Sequence, residues 1–475
     1  MAYKDNRKYV TALEKTGDVV RIKKEVDWDG EVGGIVRRAN ELRAPATFFE
    51  KIKDYSPDYR ILGGPITTER RLNIAFGFPP ETHLRTLYDE YEKRTAHPIK
   101  PVILKDAPCK ERVLTGKDVD LFSFPAPMVH DGDGGRYIGT WHISIVRDPD
   151  SDWTNWGMYR CMVHNRRTVS VLLTMSNDGG RIYFTKYASQ KKPMPIAFAI
   201  GADPISSMTA AIRFDSLQSE VNFAGGLHGE PVELVKCETS DLMVPAHAEI
   251  ILEGEISEGY SVPEGPFGEF TGYRTGWDWR TAIVIKAITS RKDPIITLAN
   301  PGVPLSEGSM GPGMGRTLNL KKHLKACGVP VVDVYVPPEA AGMIVIVSVK
   351  KFNQANIATL VRDAILSRDY REQKIIVVDD DVDVFNLMEV FHTLGTRLHP
   401  GRGITINDKE MAMSLSPFLT SEERKYSRSA SVLFDCTWPA EWSRETDVPP
   451  RVSFKDVYSR ELQEKITREW KEYGF

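Results

Sequence analysis

The residues of this chain best suited to chemistry lie in the run Pro263-Glu264-Gly265-Pro266-Phe267-Gly268-Glu269-Phe270. Two carboxylates stand five apart, with Gly-Pro and a further Gly between them. On a straight strand an odd spacing would send them to opposite faces. Glycine and proline let the chain bend, so that both can face one cavity. Carboxylates held close together push one pKa upward, and a carboxyl still protonated near neutrality can act as a general acid. The same letters equally describe a surface turn with two solvated glutamates.

A second segment, Thr154-Asn155-Trp156-Gly157-Met158-Tyr159-Arg160, offers an amide oxygen at Asn155 for a hard cation and a two-pronged guanidinium at Arg160 for a carboxylate. An ordinary strand with aromatic packing would read the same way. Glu220, in Ser219-Glu220-Val221-Asn222-Phe223, is a third candidate, for which a surface charge is the plainer reading. None of the three is specific alone.

The elements that must position these groups fall into three textures. Tyr3–Lys15 carries Val10 and Leu13 on one face and stops at Gly17, which predicts a helix with a glycine after its end. Beyond Pro125 the chain turns to β-branched segments bounded by Gly, Pro and Asp: Ile138–Arg147, Thr168–Met175, Ile196–Ile200, Ala248–Gly254 and Ala282–Ile288. Many strands with few helices between them predict a barrel or sandwich. After Pro312 a helix over Arg316–Cys327 is followed by extended runs at Val331–Val336, Met343–Val349 and Lys374–Val378, with helices near Asn356–Leu366 and Asn386–Leu394, the alternation of an α/β unit. In the tail, Ser453 to Phe475, Leu462, Ile466 and Trp470 recur every fourth residue, which predicts one amphipathic helix that packs on its own domain or on a partner subunit.

Composition removes several classes. The chain has 475 residues, enough for two or three domains. Its 62 basic and 65 acidic residues leave a formal charge of -3 and no lysine tract, so nucleic-acid binding is set aside. Cys109, Cys161, Cys237, Cys327 and Cys436 are scattered without a C-x-x-C pair, which argues for buried free thiols in a reducing compartment. The opening MAYKDNRKYV has no apolar core and no run of eighteen apolar residues follows, so a cytoplasmic protein with no membrane span is expected. Asp131-Gly132-Asp133-Gly134-Gly135 begins like a calcium loop, but its twelfth position is His142 rather than Glu. The acids 379–381 and 383 read as a solvated strand end, and the glycines at 308, 311, 313 and 315 as a flexible or ligand-covering loop. Nucleotide-binding P-loop, H-E-x-x-H and G-x-S-x-G signatures do not occur.

Taken in order, Asn155 with Arg160 five later, then Glu220, then E-G-P-F-G-E, resemble the motif set of UbiD-type decarboxylases. D-G-G-R-Y-I before them, and L-V-K-C-E-T-S-D-L-M-V-P-A-H-A-E-I-I-L-E-G-E and V-D-D-D-V-D-V-F after, extend the likeness along nearly the whole chain. The wording is especially similar to the fungal ferulic acid decarboxylase branch and to aromatic acid decarboxylases. The resemblance implies an α+β / α/β fold: an N-terminal α/β segment over 1–110, a flavin-binding split β-barrel over 111–310, a linker helix over 311–328, a C-terminal α/β dimerisation domain over 329–445 and a C-terminal helix over 446–475. It implies prenylated FMN, supplied by a flavin prenyltransferase. The cofactor's phosphate would be held through a divalent ion, manganese or another such as magnesium, with potassium nearby.

Residue by residue, the resemblance places Asn155 and Glu220 on metal-ligand positions, Arg160 and Glu264 on an Arg–Glu network beside the flavin, and Glu269 on the catalytic acid. Met158, Tyr159 and Arg160, then Leu172, Leu173 and Thr174, fall on flavin contacts, joined by Asn177, Asp178 and Glu220 at the phosphate. The family's third metal ligand is usually histidine; here the text is Ser176-Asn177-Asp178-Gly179-Gly180, so Asp178 or Asn177 stands in its place, and oxygen ligands suit Mg or Mn. His164 reads as a satisfied strand histidine, and Arg397 lines up with an arginine near the metal.

The activity implied is reversible, non-oxidative decarboxylation of an aromatic, heteroaromatic or α,β-unsaturated carboxylic acid by a homodimer or a multiple of dimers. The flavin acts as electron sink, because no side chain can absorb the charge left on an sp2 carbon. Glu269 gives the proton, tuned by Arg160 and Glu264. Phe270, Trp277, Trp279, Phe434 and Trp438 are candidates for an aromatic pocket. Two other readings stay open: a non-catalytic flavin-binding scaffold of the same fold, and a flavin-free metal-dependent hydrolase or lyase.

Overall fold

The computed structural model describes residues 3–214, 218–350, 355–368, 373–413 and 415–475. Asp5 caps the first helix, Asn6–Thr16, by accepting the Lys8 N–H, and Gly17, in the left-handed region at φ 73°, ends it. Tyr9, Val10 and Leu13 are its buried face. The strands that follow, Val19–Ile22, Ala46–Phe49 and Arg60–Gly63, form a four-stranded sheet completed by Ile295–Leu298. The N-terminal segment is therefore stitched by hydrogen bonds to a strand from far along the chain.

An antiparallel sheet of ten strands dominates the middle of the chain. Asp278–Ser290 is its spine, pairing with Thr168–Val171, Ile250–Ile256, Ser261–Glu264 and Arg112–Thr115. Ile250 and Leu252 pack into one core cluster and Ile251 into another, the alternation of a strand buried on both faces. Cys161 stands opposite Val171, Val171 opposite Thr281, and Thr281 opposite Ser261, one row across four strands.

The glycines expected in a loop lie inside a twenty-residue helix, Glu307–Ala326, which starts nine residues before the predicted Arg316. They serve close packing: a Cβ on Gly311 would stand 2.6 Å from Met208 Cγ, and one on Gly315 2.4 Å from Ile212 Cγ2. The long helix thus lies flush against Pro204–Ala210 and the residues after it. It leads into a five-stranded mixed sheet, in the order Val331–Tyr335, Ile344–Val349, Lys374–Asp379, Arg428–Asp435, Ile404–Met411.

Three local expectations are corrected. The tail is not one helix over Ser453–Phe475 (nor over 446–475): it breaks into Phe454–Val457 and Arg460–Arg468, because Ser459 caps a new start by accepting the Leu462 N–H, and Leu462 and Trp470 are exposed. The acids 379–383 are not a bare solvated end. Asp379 is buried and accepts the Trp438 N–H, Asp381 binds Arg397 at 2.9 and 2.5 Å, and Asp380 and Asp383 pair with Arg444 and Arg85. Cys327 is exposed, whereas the other four cysteines are buried free thiols. No helix among the described residues is long and apolar enough to cross a membrane.

Candidate active site

Arg160 occupies the short link between strands Thr154–Gly157 and Cys161–Asn165. Its Nε and Nη2 donate to the two oxygens of Glu264 at 2.9 and 2.8 Å, and its Nη1 donates to Glu269 Oε1. One guanidinium therefore gathers both carboxylates of the E-G-P-F-G-E run, its carbon 5.0 Å from the centre of the Phe267 ring. Glu264 is buried and is further held by the Tyr137 hydroxyl at 2.6 Å. Glu269 sits at the mouth of a hairpin made by Phe267–Gly268 and Arg274–Thr275. Burial pushes its carboxyl above the usual range and the Glu264 charge adds to the push, while Arg160 and Thr275 pull it back. A carboxyl in that balance is a proton donor in waiting.

The loop carrying the two glutamates is held by the Asp131–Gly135 segment. Gly134 N–H donates to Pro266 O at 2.8 Å, and a Cβ on Gly134 would lie 2.0 Å from Gly265 O. Gly265 itself has φ 88°. Asp133 accepts the Gly268 N–H at 3.2 Å and the His130 ring at 2.9 Å, and that ring sits where a Cβ on Gly268 would be. The failed calcium loop is thus a clamp for the acid.

Next to this cluster lies a cavity of about 350 Å³, within the size range of ligand and cofactor sites. Asn155, Met158, Tyr159, Asn177, Asp178 and Glu220 line it on one side, and Gly308, Pro312 and Arg316 of the long helix on the other; Phe270 joins it to Glu269. Glu220 is buried, not a surface charge. It opens the helix Glu220–His228 and accepts from Trp156 N at 3.0 Å and Asn155 Nδ2 at 3.1 Å. Burial, with Asp178 adding to it, pushes its carboxyl up to about 7. A carboxylate this short of counter-charge, beside an amide and a second carboxylate, is an oxygen donor set that suits a divalent ion. Among the described residues no group of three or more His, Cys, Asp or Glu is arranged to hold a metal; here an amide joins two acids.

Tyr159 fills the space between two glycines: a Cβ on Gly157 or Gly179 would stand 2.4 or 2.8 Å from its ring atoms. Its hydroxyl donates to Asn155 Oδ1 at 3.0 Å and accepts the Gly179 N–H at 3.1 Å. Asn177 caps the short helix Asp178–Ile182, and Asp178 pairs with Arg181.

Other expected residues lie elsewhere. Leu173 is buried in the hydrophobic core, and Thr174 bonds Ser176 and Asn177; with Leu172 they are not among the residues lining this cavity. His164 bonds Ser170. Arg397 pairs with Asp381 and stacks on Trp438, apart from the cavity. Trp277 and Trp279 are largely exposed. Sequence reading gave no role to Tyr137, His130, Asp133 and Thr275; Tyr137 and Asp133 carried a signal, both lying in the D-G-G-R-Y-I run, Asp133 also in the calcium-like loop.

Three family models match in succession. Residues 10–91, 100–304 and 312–436 correspond to the N-terminal, Rift-related and C-terminal domains of 3-octaprenyl-4-hydroxybenzoate carboxy-lyase, UbiD. The chain is 31% identical to pyrrole-2-carboxylic acid decarboxylase of Pseudomonas aeruginosa and 29% identical to ferulic acid decarboxylase 1 of Saccharomyces cerevisiae, covering 99% of this chain and 98% of the relative in both cases. Among solved structures it resembles the vanillic acid decarboxylase of Sedimentibacter hydroxybenzoicus in open form, with a TM-score of 0.88 and 30% identity over 100% of this chain and 99% of that one. An evolved dimeric form of the UbiD-class enzyme HmfF from Pelotomaculum thermopropionicum, in complex with prFMN, gives a TM-score of 0.81 at 26% identity over 97% and 100%.

Proposed function

The chain belongs to the UbiD family of carboxy-lyases, and from that premise we propose that it decarboxylates an aromatic, heteroaromatic or α,β-unsaturated acid on prenylated FMN, with Glu269 as proton donor. The observation that carries this reading is the grip of Arg160 on Glu264 and Glu269 at the edge of a cofactor-sized cavity. The relatives named for pyrrole-2-carboxylic, ferulic and vanillic acids support a carboxylate attached to a conjugated system, and the HmfF complex supports the cofactor.

In this reading the prenylated flavin supplies the electron sink that no side chain provides. Met158 and Tyr159 would line its place, and Asn155, Glu220 and Asp178 would hold a divalent ion, manganese or magnesium, that neutralises phosphate charge. Arg160 grips Glu264 with two nitrogens and aims the Glu269 carboxyl with the third. Burial shifts Glu269 toward its protonated form, from which it would deliver a proton to the carbon that has lost CO2. Phe270, next to the acid on the cavity wall, gives the substrate ring an aromatic face. A flavin prenyltransferase supplies the cofactor, and the working form is a dimer or a multiple of dimers in the cytoplasm.

The test is co-expression with a flavin prenyltransferase, followed by a visible spectrum, intact-cofactor mass and metal content, then CO2 release from a panel of heteroaromatic, cinnamic and hydroxybenzoic acids. Bound prenylated FMN, about one divalent ion per chain and CO2 release from one acid class is the expected result. Colourless protein with no turnover, under conditions that load a known relative, would sink the proposal.

A further inference from the structure

Glu220 is the first residue of its helix and His228 the last. At that far end His228 Nε2 lies 2.9 Å from Asp203 Oδ1. Asp203 in turn caps the helix Pro204–Ala210, accepting the Ser206 N–H at 2.8 Å. Both members of the pair are buried. The other end of this second helix, with Ala210 and Ala211, lines the cavity beside Glu220. One ion pair therefore joins the remote ends of two helices whose near ends form one stretch of cavity wall. Eight residue steps place His228 about 12 Å from Glu220, too far to touch anything bound there.

The electrostatics favour this joint. A cation at a helix C-terminus and a carboxylate at a helix N-terminus each complement the local backbone dipoles. Burial opposes the His228 charge, yet Asp203 and then Glu230 draw its pKa upward, with Arg94 opposing them. Lys4, Glu233 and His247 are the other charged or titratable groups around the small cleft beside the pair. The helix backbone lies close to the His97–Ile99 segment: a Cβ on Gly225 would stand 2.4 Å from Ile99 O and one on Gly226 2.7 Å from His97 O. Val221, Ala224 and Leu227 are buried in the core, and the Ile99 N–H donates to Asn222 O at 2.9 Å. To these contacts the ion pair adds a polar joint that ties the far end of this helix to the start of Pro204–Ala210.

We propose that His228 and Asp203 are positioning residues for the metal side of the site, fixing how far Glu220 reaches into the cavity. The inference rests on the reading of Glu220 as a metal ligand. It is tested on the full chain, with and without FMN, by titrating Mn2+ and following the free ion by electron paramagnetic resonance. His228→Gln and Asp203→Asn are compared with wild type and with Glu220→Gln; the asparagine keeps an acceptor for the Ser206 N–H.

Glu220→Gln should abolish binding, and each pair variant should weaken it about tenfold, the low end of the cost of disturbing groups that orient a ligand. The double variant should be no weaker than either single one, and excess Mn2+ should restore kcat in enzyme loaded with its cofactor. Loss of binding in Glu220→Gln with unchanged Mn2+ affinity in both pair variants, even at a lowered Tm, would overturn the inference while leaving the ligand reading intact. Unchanged binding in Glu220→Gln would instead remove the ligand reading, and this inference with it. Should His228→Gln fail to fold, Asp203→Asn decides alone.

Discussion

Arg160 holds Glu264 with two of its nitrogens, at 2.9 and 2.8 Å, and has only Nη1 left for Glu269. The asymmetry divides the roles. Glu264 takes the full counter-charge inside a buried site, where a Tyr137 hydroxyl completes it. Glu269 receives one arm of the guanidinium, with Thr275 beside it, and keeps a raised pKa. Removing its proton while keeping its shape should therefore stop chemistry and spare binding. Glu269→Gln should lose at least roughly 100-fold in kcat, the lower end of general-acid contributions, with flavin content unchanged by absorbance.

Lysine at position 160 keeps the charge and loses the fork. A point charge cannot grip Glu264 twice and still aim Glu269. Arg160→Lys should lower kcat about 100-fold through misplacement of the acid. The alkaline limb of the pH–rate profile, where Glu269 gives up its proton, should stay close to its wild-type position because the positive charge remains. A large shift of that limb with little loss of rate would show that charge, not aim, is what Arg160 supplies.

Stability should follow the buried carboxyls. Glu220 stands at about 7 against an ordinary value of 4.5. A raised folded pKa gives a stabilising contribution that is complete below about 4.5 and is lost as pH rises through 7. Metal-free protein should melt lower at pH 8.5 than at pH 5.5, Glu220 accounting for up to about 2 kcal/mol over that window. Glu307, fully buried at the start of the long helix and also pushed up to about 7, adds to the same trend. Mn2+ should reverse the Glu220 share and leave that of Glu307. Scanning calorimetry with chelator or Mn2+ on wild type and Glu220→Gln separates the two; the variant should show no metal-dependent rise in Tm.

Gly134 tests the clamp. Its Cβ would meet a backbone oxygen at 2.0 Å, which no rotamer change relieves. Gly134→Ala should cost about 1–3 kcal/mol in denaturant unfolding and reduce kcat more than flavin affinity, because the displaced strand end carries Glu264 and Glu269 rather than Glu220.

What the sequence disclosed depended on how local each signal was. Arg160, Glu264 and Glu269 were legible through their order in the motif set, and the structure brings them onto one guanidinium. Glu220 was legible in the same way, although by its neighbours alone it looked like a surface charge. Tyr137 was hidden because a tyrosine on a strand reads as core, and its hydroxyl meets Glu264 only through a contact 127 residues apart in the chain. The glycines of 308–315 misled because glycine disfavours helix in isolation, whereas here Met208 and Ile212 need the room. The tail misled in the opposite sense: its periodicity was real, but periodicity does not see a serine starting the helix afresh at Ser459.

The row Cys161, Val171, Thr281, Ser261 carries a consequence for how this molecule can vary. Arg160 adjoins one end of the row and Glu264 lies three residues beyond the other, opposite Asp278. The meeting of acid and arginine is thus encoded as distances counted in residues along four strands. A one-residue slip turns every side chain of a strand to the opposite face. Exchanging letters on the outer faces of these strands leaves that count untouched, whereas one residue inserted or deleted within the paired segments 261–264 or 278–281 shifts Glu264 relative to Arg160. In these paired segments the residue count sets the site more strictly than most of the side chains do.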